Sequence, residues 1–187
     1  MADRPSTTSL PALRFLLAPL ADFCAADGRA LPLLEECAGE EVPEPYRGLL
    51  VHNGDMTPTL ERYHGDTLHL RILGKRMQSD RLARQVLLLT DATERPVEYG
   101  AIEIRLDRFE AAAREEIEAC RKPLGAILRD RNIPHSSRPT AYFRVAGDRF
   151  VCDALNVAGT PKLYGRRNTL RDEQGRTLAE IVEILPL

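Results

Sequence analysis

The chain has 187 residues, of which 43% are hydrophobic and 29% are charged, and these values predict one globular domain with a substantial core. The 26 basic and 28 acidic residues give a net charge of -2, Trp is absent and aromatic residues make up only 5% of the chain. Neither a basic surface nor a set of stacking aromatic side chains for nucleic acid is therefore expected.

The N-terminal part is predicted to be mainly helical. Residues 1–9 are polar and expected to be disordered. Residues 10–34 carry apolar residues at helical spacing, broken by prolines, and Leu33–Ala38 is compatible with one more helical turn. A turn at residues 53–55 then places Met56 where a loop becomes a helix. No signal peptide and no membrane span is found, so the sequence predicts a soluble, cytoplasmic protein.

The middle of the chain predicts a strand followed by a β-hairpin. Residues 67–73 alternate as a strand does, and residues 85–90 form a short apolar run. A polar turn at residues 91–96 separates this run from residues 97–106, which alternate again. The apolar positions shift by one after Gly100, and this shift suggests a β-bulge.

The remaining chain predicts two helices and then strands. A helix capped by Asp107 runs to about Ala119, and a second one runs to about Asp130 after a break at Pro123-Leu124-Gly125. Because hairpins link neighbouring strands without βαβ alternation, the fold class is α+β, a single domain whose antiparallel sheet has helices packed on one face. Strands are predicted at residues 139–145, 150–155, 163–170 and 178–185.

Three residues in the first two thirds of the chain are candidates for ligand contacts. Arg84 stands just before the VLLL run, where a guanidinium either faces a cavity and binds a carboxylate or forms a salt bridge at the rim. Leu124 follows a proline at a helix start, where backbone N–H groups can bind an anion or simply form a turn. Met56 is an adaptable apolar side chain, and residues of this type lie more often in a core than against a ligand.

The C-terminal strand carries two candidate carboxylates, Glu183 and Glu180. They are three residues apart, so on a regular strand they point to opposite faces and only one can face the core side. Alternation alone also permits Glu183 to face solvent. The neighbouring pair Arg166 and Arg167 follows the same rule, so at most one of the two points inward.

Metal and nucleophile chemistry are not expected. The cysteines form no CxxC pair, and their arrangement with the scattered histidines resembles no zinc site, so we expect no metal and no cofactor. Each cysteine is expected to be a small core residue, and each histidine a surface or structural residue. P-loop, dinucleotide, HExxH and GxSxG motifs are also missing from the sequence.

Five short motifs appear in a fixed order between Leu49 and Pro186: LLVHNGDMTPTLE, LARQVLLL, RKPLGAIL, LYGRRNTL and the ending EILP. In this order and at this spacing the chain resembles the chorismate pyruvate-lyase family, which makes 4-hydroxybenzoate for ubiquinone synthesis. The resemblance implies a chorismate lyase-like domain over residues 10–187, with an internal ligand cavity. It also implies a carbon–oxygen lyase that cleaves chorismate to 4-hydroxybenzoate and pyruvate without a cofactor.

The resemblance also implies roles for individual residues. Arg84 would hold the ring carboxylate, the backbone N–H of Leu124 would add a donor, and Met56 would contact the ring. Glu183 would lie beside the ring hydroxyl and, with Arg84, would be catalytic. The spacing before Pro186 differs from the family pattern by one residue, which leaves Glu180 as the alternative to Glu183.

Other functions compete with the lyase. The same fold serves as the effector domain of bacterial transcription regulators, so a ligand-binding sensor is one alternative. A catalytically inactive binder of small aromatic acids is another, and a lyase that releases a different hydroxybenzoate for a secondary pathway is a third. In each case the expected partner is a small molecule, and we expect a monomer without bound nucleic acid or a membrane span.

Overall fold

The structure is a computed structural model that describes residues 10–159 and 161–186. The segment predicted to be disordered, residues 1–9, lies outside the described residues. A seven-stranded sheet forms the centre of the molecule, and every pair of neighbouring strands in it is antiparallel. Its strands are β1 Leu34–Cys37, β2 Leu68–Gln78, β3 Arg81–Thr90, β4 Pro96–Arg105, β5 Ser136–Ala146, β6 Lys162–Arg171 and β7 Thr177–Leu185. They are arranged in the order β1-β5-β6-β7-β4-β3-β2, so β1 and β2 are the outer strands.

Seven short α-helices surround the sheet in the described ranges. The helix predicted from Asp107 begins later, at Ala111, because residues 106–108 form a 3-10 turn first. No helix within the described ranges is long and apolar enough to cross a membrane. The helices are α1 Leu10–Leu16, α2 Leu20–Ala26, α3 Tyr46–Leu50, α4 Met56–His64, α5 Ala111–Ala119, α6 Leu124–Asp130 and α7 Arg149–Leu155.

The predicted α+β fold with an antiparallel sheet is confirmed, but helices lie on both faces of the sheet rather than on one. Alternate residues of β4 show the arrangement, since successive side chains of a strand point to opposite faces. Tyr99 and Ala101 belong to a core shared with α2, α7 and Leu17, the residue after α1. Ile102 and Ile104 belong to a core shared with α5 and α6. Central strands buried on both faces need apolar residues at both sets of alternate positions.

Burial on both faces also explains why the predicted bulge after Gly100 is wrong. The β3–β4 ladder is regular there, with Gln85 opposite Ala101 and Arg84 opposite Ile102. The register shift in this hairpin lies near the turn instead, between Leu88 and Leu89. The change in apolar positions along β4 therefore reflects two buried faces and no extra residue.

Two further elements differ from their predictions. Residues 34–37, expected in a helical turn, form β1 and pair with β5, where Leu34 lies opposite Val145. Residues 150–155, expected in a strand, belong to α7. Asp148 caps that helix because its Oδ1 accepts a hydrogen bond of 2.8 Å from the backbone N–H of Val151.

Candidate functional site

A cavity lies between one face of the sheet and the first residues of α4 and α6. Residues 55–57 and 123–125 form its roof, and strands β3, β4, β6 and β7 supply most of its floor. The space between atoms at this site is about 560 Å³ when the solvent at its open mouth is included, and the enclosed part is much smaller. Its apolar lining includes Leu70, Val86, Leu88, Ile102, Leu170 and Ile181.

The four predicted contact residues all line this cavity. Arg84 projects from β3 and Glu183 from β7. Met56 and Leu124 are the first residues of α4 and α6 and belong to the roof. The fold therefore assembles residues from four separate elements around one space.

Arg84 is a buried cation with unused hydrogen-bonding capacity. Its exposed fraction is 1%, and neither Nε nor Nη1 has a hydrogen-bond partner in the described parts of the chain. Burial lowers the pKa of Arg84, and contact with Cys120 opposes this effect. Arginine nevertheless stays protonated in proteins. An uncompensated buried charge is costly, so the Arg84 end of the cavity favours an anion.

Glu183, by contrast, already has a cationic partner. Its Oε2 accepts a hydrogen bond from Nε of Arg166, which is fully buried and lies opposite Glu183 on β6. Nη1 of Arg166 donates to the carbonyl oxygens of Leu50 at 3.1 Å and His52 at 3.2 Å, and Nη2 donates to that of Gly54 at 3.2 Å. Four hydrogen bonds thus occupy a side chain with five N–H donors. The network also ties the segment before the roof to the sheet.

Glu180 lies on the opposite face of the sheet from Glu183. Its Oε2 accepts hydrogen bonds from Nη2 of Arg167 at 2.7 Å and from Oγ1 of Thr169 at 3.2 Å. The guanidinium of Arg167 also stacks over the Phe15 ring, 4.5 Å from its centre. Of the two candidate carboxylates, Glu183 is the one that lines the cavity.

Glu98 lines the cavity too, although nothing in its immediate sequence marks it as a ligand contact. It is 5% exposed, and its Oε2 has no hydrogen-bond partner among residues 10–159 and 161–186. Burial raises the pKa of Glu98 well above its ordinary value, the charge of Glu183 raises it further, and Arg166 opposes both effects. The available signal was its position: Glu98 shares a strand face with Ile102, the residue opposite Arg84.

Asn168 on β6 is a second polar residue of the cavity that local sequence patterns do not predict. Its Nδ2 donates a hydrogen bond of 2.9 Å to Oγ of Ser137. Its Oδ1 is buried and has no partner within the described chain. The side chain lines the cavity and so offers one further polar atom to a ligand.

Gly100 keeps the floor of the cavity open between the two ends. It lies opposite Val86 on β3 and Glu183 on β7. A Cβ atom at this position would lie 2.9 Å from the backbone oxygen of Val182 and 3.1 Å from Oε1 of Glu98. Any larger residue would therefore push into the sheet and into the space beside Glu98.

None of the four histidines lines the cavity. His135 contacts a roof residue: its Nε2 lies 2.8 Å from Oδ2 of Asp55, and its Nδ1 lies 2.9 Å from the carbonyl oxygen of Ile133. The hydrogen bond to Asp55 raises the pKa of His135. With an acceptor at each ring nitrogen, the protonated imidazolium suits this position. Asp55 belongs to the roof, so this pair links the loop before β5 to the cavity.

The described residues contain no cluster of three or more His, Cys, Asp or Glu side chains that could hold a metal ion. All four cysteines are free. Burial raises the thiol pKa of Cys24 and of Cys152. A raised pKa favours the unreactive thiol over the thiolate.

Comparison with known proteins yields structural matches only. No protein-family model and no curated protein matches the chain. PhnF from Mycobacterium smegmatis matches with a TM-score of 0.55 and 14% identity over 71% of this chain and 63% of that chain. The effector domain of PhnF from the same organism gives a TM-score of 0.53 and 13% identity over 71% and 88% of the two chains. The ligand-binding domain of a putative GntR-family transcriptional regulator from Bordetella bronchiseptica gives a TM-score of 0.46 and 12% identity over 64% and 85%.

These matches correct the predicted activity. The structure of which this chain covers 88% is described as an effector domain and not as a lyase. The prediction of a carbon–oxygen lyase that acts on chorismate is therefore contradicted, and the link to ubiquinone synthesis is unsupported. What remains of the family resemblance is the fold, a chorismate lyase-like α+β domain with an internal cavity.

Proposed function

We propose that this chain is a non-catalytic binding domain for a small aromatic carboxylic acid. One observation carries the proposal: the buried guanidinium of Arg84 lines the cavity and has two nitrogen positions without a partner within the described chain. A carboxylate would supply the missing counter-charge. It would also accept two parallel hydrogen bonds from the planar guanidinium, a geometry that a lysine could not match.

The surroundings of Arg84 suit a ring. Val86 and Ile102 lie on the floor beside it, and Met56 and Leu124 lie in the roof. These side chains supply apolar contacts on both sides of a flat ligand, and a methionine adapts its shape readily. A site of this composition, apolar with few convergent polar groups, is the usual form of a small-molecule pocket.

Two observations favour binding without turnover. Glu183, the residue that the resemblance makes catalytic, forms a buried ion pair with Arg166 and is held in place by it. The likeness to an effector domain supports the same conclusion at the level of the fold. We therefore assign Glu183 a structural and ligand-facing role, with Arg84 as the main anchor for the ligand.

The proposal is tested by calorimetric titration of the purified chain with benzoate and with 4-hydroxybenzoate. Both should bind, and Arg84→Met should weaken each by about 100-fold or more, since losing a buried charge partner costs roughly 2–5 kcal/mol. Arg81→Met is the matched control, because Arg81 is on the same strand but is exposed and pairs with Glu103. It should leave binding unchanged.

Two results would overturn the proposal. One is unchanged affinity in Arg84→Met, which would remove the anchor. The other is release of pyruvate when the wild-type chain is incubated with chorismate alone, which would show turnover. Product analysis by mass and retention time detects the second result directly.

A further inference from the structure

The two ends of the cavity differ in chemical character. Arg84 lies opposite Ile102, and Glu98 is four residues before Ile102 on the same face of β4. Four residues of a strand span about 13 Å, so Arg84 and Glu98 stand at opposite ends of the floor. Gly100 lies midway between Glu98 and Ile102, and Oε1 of Glu98 lies 3.1 Å from the place that a Cβ of Gly100 would take, so the carboxyl group of Glu98 reaches over Gly100 towards Arg84.

The end of the cavity near Glu98 has more acidic groups than free cations. Glu98 and Glu183 both lie there, and Arg166, their cationic neighbour among the described residues, is already bound to Glu183 and to three carbonyl oxygens. From the roof, Asp55 adds a further carboxylate, which is paired with His135. Two carboxylates that share one buried cation cannot both stay ionised at low cost, so one of them holds a proton.

In the part of the chain that the structure describes, Glu98 is the member of the pair that has no cation of its own. Its Oε2 makes no hydrogen bond to any described residue, whereas Oε2 of Glu183 is bound to Arg166. Burial and the nearby charge of Glu183 raise the pKa of Glu98, in the direction that this assignment requires. A protonated carboxyl group both donates and accepts hydrogen bonds.

The following inference rests on the proposed function and specifies the ligand. We propose that Glu98, as an uncharged carboxylic acid, determines specificity by hydrogen-bonding a neutral oxygen on the ring opposite the ligand's carboxylate. The cavity thus takes ring monocarboxylates with a hydroxyl or carbonyl group at the far end, and it rejects ring dicarboxylates. A second carboxylate would meet Glu98 and Glu183 and would find no free cation, because Arg166 is occupied.

The test compares three probes by calorimetric titration: benzoate, 4-hydroxybenzoate and terephthalate. Wild type should bind 4-hydroxybenzoate about tenfold more tightly than benzoate, the value of one good hydrogen bond. Terephthalate should bind at least about 100-fold more weakly than 4-hydroxybenzoate, because its second charge is buried without a partner. Equal affinities for the three probes would overturn the inference.

Two variants at Glu98 separate its hydrogen bond from its charge. Glu98→Gln keeps an uncharged hydrogen-bonding group and should retain the preference for 4-hydroxybenzoate within about threefold. Glu98→Leu should lose the preference, because leucine offers no hydrogen bond to the ring oxygen. Glu103→Leu is the control, since Glu103 is on the same strand but faces the other way and is partly exposed. A preference that survives in Glu98→Leu, or that disappears in Glu98→Gln, would refute the role of Glu98.

A measurement on the wild type alone keeps the inference testable if Glu98→Leu does not fold. Titration with 4-hydroxybenzoate at pH 7 in two buffers of different ionisation enthalpy reports protons taken up on binding. An uncharged Glu98 predicts no uptake, and uptake of about one proton would show that Glu98 is ionised in the free protein. If benzoate and 4-hydroxybenzoate both fail to bind, the proposed function itself is wrong. If they bind through Arg84 without any effect of Glu98, only this inference fails.

Discussion

Replacement of Arg84 by methionine should stabilise the ligand-free protein. The guanidinium is buried with Nε and Nη1 unpartnered in the described chain, and a buried unsatisfied donor costs roughly 1–3 kcal/mol. Methionine fills much of the same volume without a charge. Removing the cost of two such donors, minus the packing that the shorter side chain loses, should raise the free energy of unfolding by about 2–4 kcal/mol. For a chain of this size, each kcal/mol raises the Tm by roughly 2–4 °C.

The assay is urea unfolding of both proteins after refolding from denaturant, which removes any ligand carried through purification. Arg166→Met provides the contrast, since that arginine is also fully buried but makes four hydrogen bonds. Its replacement should cost roughly 3–5 kcal/mol, because Glu183 is then left as an unpaired buried charge. A loss of stability in Arg84→Met, with an unchanged denaturant slope, would refute the reasoning from the unpartnered Nε and Nη1 of Arg84 in the described chain.

Three other perturbations have defined outcomes. Glu183→Gln should lower the free energy of unfolding by about 2–4 kcal/mol, because the buried Arg166 then loses its counter-charge. Glu180→Gln, on the other face of the sheet, should lower it by less than about 1 kcal/mol. Urea unfolding of the two variants measures the difference. Asp55 raises the pKa of His135. The pair therefore stabilises the fold fully at pH values below about 6.5, the pKa of a histidine in the unfolded chain. This contribution is lost as the pH rises through the higher pKa that His135 has in the folded protein. His135→Gln should therefore be destabilised more at pH 5.5 than at pH 8.5, and an equal loss at both pH values would exclude the linkage. Gly100→Ala should cost about 1–3 kcal/mol and should weaken benzoate binding, because the added Cβ meets backbone at 2.9 Å; normal affinity by titration would show that the floor has more room.

The sequence was most informative where one residue type conflicts with its surroundings. A charged arginine beside the apolar run of β3 cannot be explained by packing alone, and this conflict identified Arg84. The hairpin of β3 and β4 was equally visible, since two apolar runs flank a polar turn. Both features depend on residues that are neighbours in the sequence, which is why local patterns could predict them.

The missed features depend on contacts between distant parts of the chain. The role of Arg166 requires carbonyl oxygens that are 112 to 116 residues away in the sequence. Glu98 looks like an ordinary polar residue of an alternating strand until its face is known to be buried. In α7, the apolar residues Phe150, Val151 and Cys152 are consecutive, and this local pattern is compatible with a strand. The segment is nevertheless a helix, which packs Val151 and Leu155 against the sheet.

The two outer strands of the sheet also affect how the protein behaves at high concentration. An outer strand exposes backbone N–H and C=O groups that can pair with another chain and start aggregation. Here β1 has only four residues and carries Glu35 and Glu36, and β2 carries Arg71 and Lys75 and shifts register between Ile72 and Gly74. Short length, charge and an irregular ladder each discourage the addition of a foreign strand. These features protect the two outer strands of the seven-stranded sheet from pairing with another chain.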